Sequence, residues 1–230
     1  MQKDMLWEEK RYPLSSSQMN IWNLEQAFRG TPMNNICETI RIRGNFDVAF
    51  VQSCLNLVLE SDRTLRTELT IGEDGRLWQW EVPYACVQFP VLDFSMTNQE
   101  GILRWEESIA REVMPLLDTP LYQFMIIRIG EHEGEILVKT HHLISDGWSQ
   151  VALINKIAVA YLNLIEGKAA GLEVTPSYRL HVEDEQKYLH SKMHSKDQEY
   201  WKEVLKNVSS PASLKECHSA DVSPVGHRKT

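Results

Sequence analysis

Residues 36–43, "ICETIRIR", place Ile36, Ile40 and Ile42 on one face of an extended chain, which predicts a strand. The period then lengthens. Apolar residues return every three or four positions at Phe46, Phe50, Cys54, Leu57 and Val58, predicting a helix for which Asn45 can serve as the cap. Two β-rich stretches, "LRTELTI" and "LWQWEV", flank "GEDGR", where Asp74-Gly75 is a hairpin signal. Trp78 and Trp80 fall on one face of the second stretch and read as core. A second amphipathic helix is expected over "QEGILRWEESIAREVMPLL", stopped by Asp118-Thr119-Pro120. "LYQFMIIRI" and "EILVKTHH" form another hairpin candidate around "GEHEG". "SQVALINKIAVAYLNLIEG" predicts a helix ending at Gly167. A polar linker, 168–178, leads into one exposed helix over "VEDEQKYLHSKMHSKDQEYWKEVLKN". Beyond Ser209 no periodicity continues. Helices alternating with mostly antiparallel strands predict an α/β (α+β) two-layer sandwich, with a mixed sheet and flanking helices.

Composition narrows the function classes. The 230 residues are 43% hydrophobic and 24% charged, ordinary for a globular domain. A net charge of -8 with no basic stripe argues against a nucleic-acid partner. Cys37, Cys54, Cys86 and Cys217 form no CxxC pair, which argues against a zinc site or a disulfide framework and for reduced thiols in a cytoplasm. Apolar runs are too short to span a membrane. His190 and His194 are four apart, but "HSKMH" lacks the glutamate of a metalloprotease motif, so no metal is expected. "SSSQ" at 15–18 has no nucleophile elbow around it.

The chemistry concentrates in "KTHHLISDGWS", Lys139 to Ser149, at a strand end, beside a turn and before a helix. Residues 141 and 142 alternate faces, so only one of them can meet a given cleft. An imidazole titrates near neutrality and can take a proton from an amine or hydroxyl. The plain reading of the same residues puts His141 in the core, His142 in solvent and Asp146-Gly147 in a turn.

"HHLISDGWS" resembles the active-site motif HHxxxDG of the condensation domains of nonribosomal peptide synthetases. Two further stretches agree in order: "YPLSSSQMNIWNLE" is similar to the opening Ser-x-x-Gln-x-x-x-Trp motif, and Leu65-Arg66-Thr67 of "SDRTLRTEL" to the second motif. Ser61 and Asp62 stand where the family has Arg-His, and the fourth motif is blurred in "YRLHVEDEQKYL". The resemblance implies a domain of two lobes, each like chloramphenicol acetyltransferase. This chain would supply the first lobe over 1–178 and a bridging helical segment with the start of the second over 179–230, Thr230 reading as a cut point.

The resemblance also implies roles. His142 is the catalytic residue, as general base or positioning group for an amine attacking a thioester, and His141 props the loop. Asp146 pairs with Arg66, a bond costing on the order of 3–5 kcal/mol to break from one side. Gly147 either directs its N–H toward the developing oxyanion or supplies a turn with positive φ. Trp148 packs, and Ser149 completes the motif. No cofactor is bound, because both substrates ride on phosphopantetheine arms of carrier proteins, or the donor arrives as acyl-CoA. Adjacent adenylation and thiolation domains and the second lobe are the implied partners. With only about a dozen residues before the first motif, too few for a docking helix, the starter type is expected, which acylates the first residue of a lipopeptide with a fatty acyl group. The alternatives are an epimerisation domain, a CoA-dependent acyltransferase of the same superfamily, or a half-domain that binds carrier protein without turnover. A half-domain would also expose an apolar interface and self-associate weakly.

Overall fold

The computed structural model describes residues 10–44 and 46–208. In chain order its elements are β1 (Tyr12–Pro13), α1 (Ser16–Ala27), β2 (Asn35–Arg43), α2 (Val48–Ser61), β3 (Thr67–Ile71), β4 (Leu77–Glu81), β5 (Val91–Asp93), α3 (Gln99–Arg111), β6 (Tyr122–Arg128), β7 (Glu133–His141), α4 (Gly147–Ile165), α5 (Tyr178–Leu189) and α6 (Lys192–Val204). Strand β7 is central. It pairs antiparallel with β2 and β6, and β5 adds to β6 in parallel, giving the order β2-β7-β6-β5. A smaller antiparallel sheet runs β1-β4-β3. Both expected hairpins form, with Gly75 at φ +71° in the β3–β4 turn, a conformation that costs glycine little.

Alternation along β7 separates two environments. Ile136 and Val138 join Phe124, Ile126, Cys54, Leu55, Val58 and Ile157 in the main core, between this sheet and the paired helices α2 and α4. Leu137 points the other way, into a cluster with Ile109 of α3 and Ile127. Lys139 shares that second face and is 1% exposed; its Nζ donates to the carbonyls of Ile109 (2.7 Å) and Glu112 (2.8 Å). Burial pushes its pKa down, and the neighbouring Cys37 and Glu112 side chains pull the other way. Asn35 Nδ2 donates to the carbonyls of Ala110 and Glu112 beside it.

Gly134 shows how close the packing is. A Cβ placed there would lie 2.2 Å from Cζ of Phe46. Gly134→Ala should therefore cost about 1–3 kcal/mol through overpacking. Urea unfolding checks this: the midpoint should fall, and Phe46→Leu in the same background should recover part of the loss. An unchanged midpoint in the single variant would rule the clash out.

Several expectations need correction. The cap of α2 is Asp47, whose Oδ1 accepts the amides of Ala49 (2.7 Å) and Phe50 (3.0 Å); Asn45 lies outside the described residues. The buried stripe of α2 is Val51, Cys54, Leu55, Val58 and Leu59, and Phe50 is 43% exposed. Helix α3 ends at Arg111, short of Leu117, because Pro115 cannot donate to the Arg111 carbonyl and Glu112 is already extended. The long C-terminal helix is two. Ser191 turns extended, and its hydroxyl accepts from the His194 amide to start α6 afresh. Gly167 ends α4 as expected, at φ +70°, with Gly167 N–H on the Leu164 carbonyl and Lys168 N–H on that of Asn163. Helix α6 buries none of its residues and presents Met193, Tyr200, Trp201 and Val204 along one exposed stripe.

Candidate active site

Strand β7 ends at His141, and the loop from 142 to 146 carries the chain into α4. Backbone bonds pin this exit: His141 N–H reaches the Leu121 carbonyl (3.0 Å), His142 N–H that of Asn34 (2.9 Å), and Ile144 N–H closes a turn on His141 (3.0 Å). Alternation sends the two rings apart. His141 is 2% exposed and faces α1, whereas His142 is half-buried on the rim of a cleft of about 190 Å³ with Ser17, Gln18, Thr67, Ser145 and Tyr178.

The inward ring is held at both nitrogens. His141 Nδ1 accepts the Leu143 amide (3.2 Å), so its proton sits on Nε2, 3.2 Å from Oε1 of the buried Glu25. The same Oε1 accepts Asn34 Nδ2 at 2.6 Å. Because Nδ1 accepts an N–H it carries no proton, so the imidazole is neutral; burial lowers the pKa of His141 in the same sense, against the pull of the Glu25 carboxylate.

Gln18 holds the loop from the other side. Ser15 caps α1 and forms a reciprocal capping box with Gln18, whose Oε1 accepts the Ser15 amide (3.0 Å). Gln18 Nε2 then donates to the Leu143 carbonyl (2.9 Å) and to Gln79 of β4 (2.9 Å), and Gln79 Nε2 continues to the Pro13 carbonyl (3.0 Å). Thr140 and Ser145 hydroxyls meet on Oε1 of the buried Gln150 of α4.

The remaining motif residues depart from expectation. Asp146 does not pair with Arg66. It caps α4, its Oδ1 accepting the amide and hydroxyl of Ser149, each at 2.7 Å. Those two bonds hold its carboxyl below the usual range, and the His142 ring adds a smaller pull. Arg66 instead closes the end of α2, donating to the carbonyls of Leu59 (3.0 Å), Glu60 (3.3 Å) and Val82 (2.7 Å). Neither group then needs the other. Asp146→Ala should cost about 1 kcal/mol, the ordinary loss of an N-cap, and not the several kcal/mol of a broken buried pair. Thermal unfolding tests this; a loss as large as that of a severed ion pair would restore the pairing. Gly147 is the first residue of α4 and does not have a positive φ, so the strained-turn reading fails; open space surrounds the place of its Cβ. Trp148 does not pack: it is 86% exposed.

Glu25, Asn34 and Gln79 escape the sequence reading. A signal existed for the first: Glu25 follows Gln18 by seven residues, and these two polar residues are the buried ones of α1. Among the described residues no group of three His, Cys, Asp or Glu could hold a metal ion, and no helix is long and apolar enough to cross a membrane.

A family model described as "Condensation domain" matches residues 8–228. Surfactin synthase subunit 1 of Bacillus subtilis (strain 168) is 29% identical over 213 residues, covering 91% of this chain and 6% of that protein. Nonribosomal peptide synthetase TES of Alternaria alternata is 28% identical over 204 residues, 87% of this chain and 4% of that one. Among solved structures, the starter condensation domain of rhizomide synthetase RzmA matches with a TM-score of 0.79 and 25% identity, over 89% of this chain and 50% of that chain. The chain thus spans half of that solved domain and less than a tenth of either synthetase.

Proposed function

The chain belongs to the condensation-domain family, and on that premise we propose that it supplies the histidine-bearing half of an amide-forming site. An acyl or peptidyl thioester on one carrier protein is transferred to the amine of an aminoacyl thioester on another. One observation carries the reading: of two adjacent histidines, one is locked inward on Glu25 and the other stands half-buried at the cleft rim. His142 takes the proton of the attacking amine, or holds the amine on the thioester carbonyl. His141 props the loop, and Asp146 starts the helix behind it. Carrier, adenylation and thiolation domains are the partners. The chain to 178 forms the histidine-bearing lobe, and 179–230 bridges to a second lobe; the apolar stripe of α6 supports a covering partner there. Fatty acylation of a first residue is the favoured type, supported by the likeness to a starter domain. A cytoplasmic setting accompanies it, supported by the thiols of Cys54 and Cys86, neither of which is in a disulfide.

Intact-mass detection of acyl transfer to an aminoacyl-loaded carrier protein, using the two-lobed domain, tests this. Fatty acyl-CoA, acyl-carrier and peptidyl-carrier donors run in parallel. A His142-dependent gain from a fatty acyl donor supports the starter type, and a gain from the peptidyl donor alone supports elongation. Inversion of the carrier-bound residue without mass gain would replace the proposal by epimerisation. No change with any donor would sink it.

A further inference from the structure

We infer that Glu25 is a positioning residue for His142, fixing the backbone on both sides of it through a single carboxylate oxygen; the inference rests on the role of His142 proposed above. Two arms leave Glu25 Oε1. One runs through Asn34, whose side-chain amide is bound at 2.6 Å and whose carbonyl accepts the His142 amide at 2.9 Å. The other runs through His141, whose Nε2 meets Glu25 at 3.2 Å and whose Nδ1 accepts the Leu143 amide at 3.2 Å. Both arms therefore end on the peptide groups that flank the cleft histidine.

The direction of the second arm matters. A neutral imidazole can accept at Nδ1 only when its proton is on Nε2, and Nε2–H needs an acceptor in a buried site. Glu25 supplies it. Without that acceptor the other tautomer becomes competitive, and it would set an Nδ1–H donor against the Leu143 N–H. Asn34 would lose its anchor in the same step. Glu25 and His141 are 7% and 2% exposed, so water does not readily replace either bond. The chain places this carboxylate by spacing alone, two turns beyond Gln18 on α1, and Gln18 itself holds the Leu143 carbonyl.

Two measurements test the proposal. Long-range 15N–1H spectra of this chain should show His141 protonated on Nε2, with slow hydrogen exchange at the His142 and Leu143 amides. Glu25→Ala should change the tautomer and speed exchange at both, whereas Glu25→Gln, which keeps a carbonyl acceptor, should preserve most of the pattern. Glu25→Met, similar in length but without an acceptor, replaces the alanine variant if that one does not fold. In the two-lobed domain, Glu25→Ala should lower kcat on the order of 10²-fold with KM for the acceptor carrier unchanged, as expected for a displaced catalytic group. Glu25→Gln should restore most of kcat, and adding His141→Asn to Glu25→Ala should cost little more. An unaltered tautomer in the alanine variant, or wild-type kcat despite a changed tautomer, would overturn the proposal. If the wild-type domain forms no amide, the role of His142 fails, and the tautomer and exchange data alone then decide whether Glu25 fixes the loop.

Discussion

Replacing His142 with alanine should lower acyl transfer by about 10²- to 10⁴-fold, the usual worth of a positioned general base, and leave stability within about 1 kcal/mol. The asymmetry comes from where the ring sits. His142 is half-buried on the cleft rim, and among the described residues its ring makes no hydrogen bond whose loss would strand a buried partner. Its backbone amide, which does bear weight on the Asn34 carbonyl, survives the substitution. The pH dependence of the variant separates the two roles. A residual rate that climbs as the free amine becomes available marks lost proton removal; a uniformly depressed rate marks lost positioning. Wild-type activity in the alanine variant, read by intact mass, would remove His142 from the mechanism altogether.

Gln18→Leu should affect both stability and turnover. The substitution keeps the volume of a 4% exposed side chain and removes its amide. The Ser15 amide and the Leu143 carbonyl each lose a partner, and the Gln79 side chain loses two bonds. A buried polar group left unpaired costs about 1–3 kcal/mol, so this should be among the most destabilising single changes near the cleft. The rate should fall as well, since Leu143 directly follows His142. Gln18→Glu is a second test: it can still accept from Ser15 and Gln79, but it sets an oxygen against the Leu143 carbonyl and Gln79 Oε1, so it should recover neither stability nor rate at neutral pH. Equal melting temperatures for Gln18→Leu and wild type would show that the loop is held elsewhere.

What could be read in advance follows from which signals are local. Strand β7 and helix α4 declare themselves by period, and the Asp74-Gly75 turn by backbone chemistry, because those preferences act over a few residues. The pair His141–His142 was legible for the same reason: alternation alone separates their faces. The partner of Asp146 was not. An N-cap aspartate and a buried ion-pair aspartate look alike in one dimension, and Ser149, three residues on, was the nearer donor to its carboxylate. Arg66 had the Leu59 and Glu60 carbonyls at the end of α2 within reach, and no sequence pattern marks a carbonyl as unpaired. Glu25 was hidden by the general rule that helix glutamates face water; only tertiary placement beside His141 reverses it. The break before α6 turned on one serine preferring a cap to a helix interior, a choice smaller than the apolar rhythm running through it.

The isolation of α6 bears on how this chain melts. Among the described residues its anchorage is slight: Tyr188 OH donates to Asp197 Oδ2 at 2.7 Å, and the Tyr188 ring meets that of His194. A segment with no buried residue opens without disturbing the core. Heating should therefore produce a gradual loss of helical ellipticity before the cooperative transition, and tryptophan emission, with Trp201 on that segment and Trp80 in the interior, should report two different events. A single melting temperature assigned to the whole polypeptide would average a fraying helix with a folded domain.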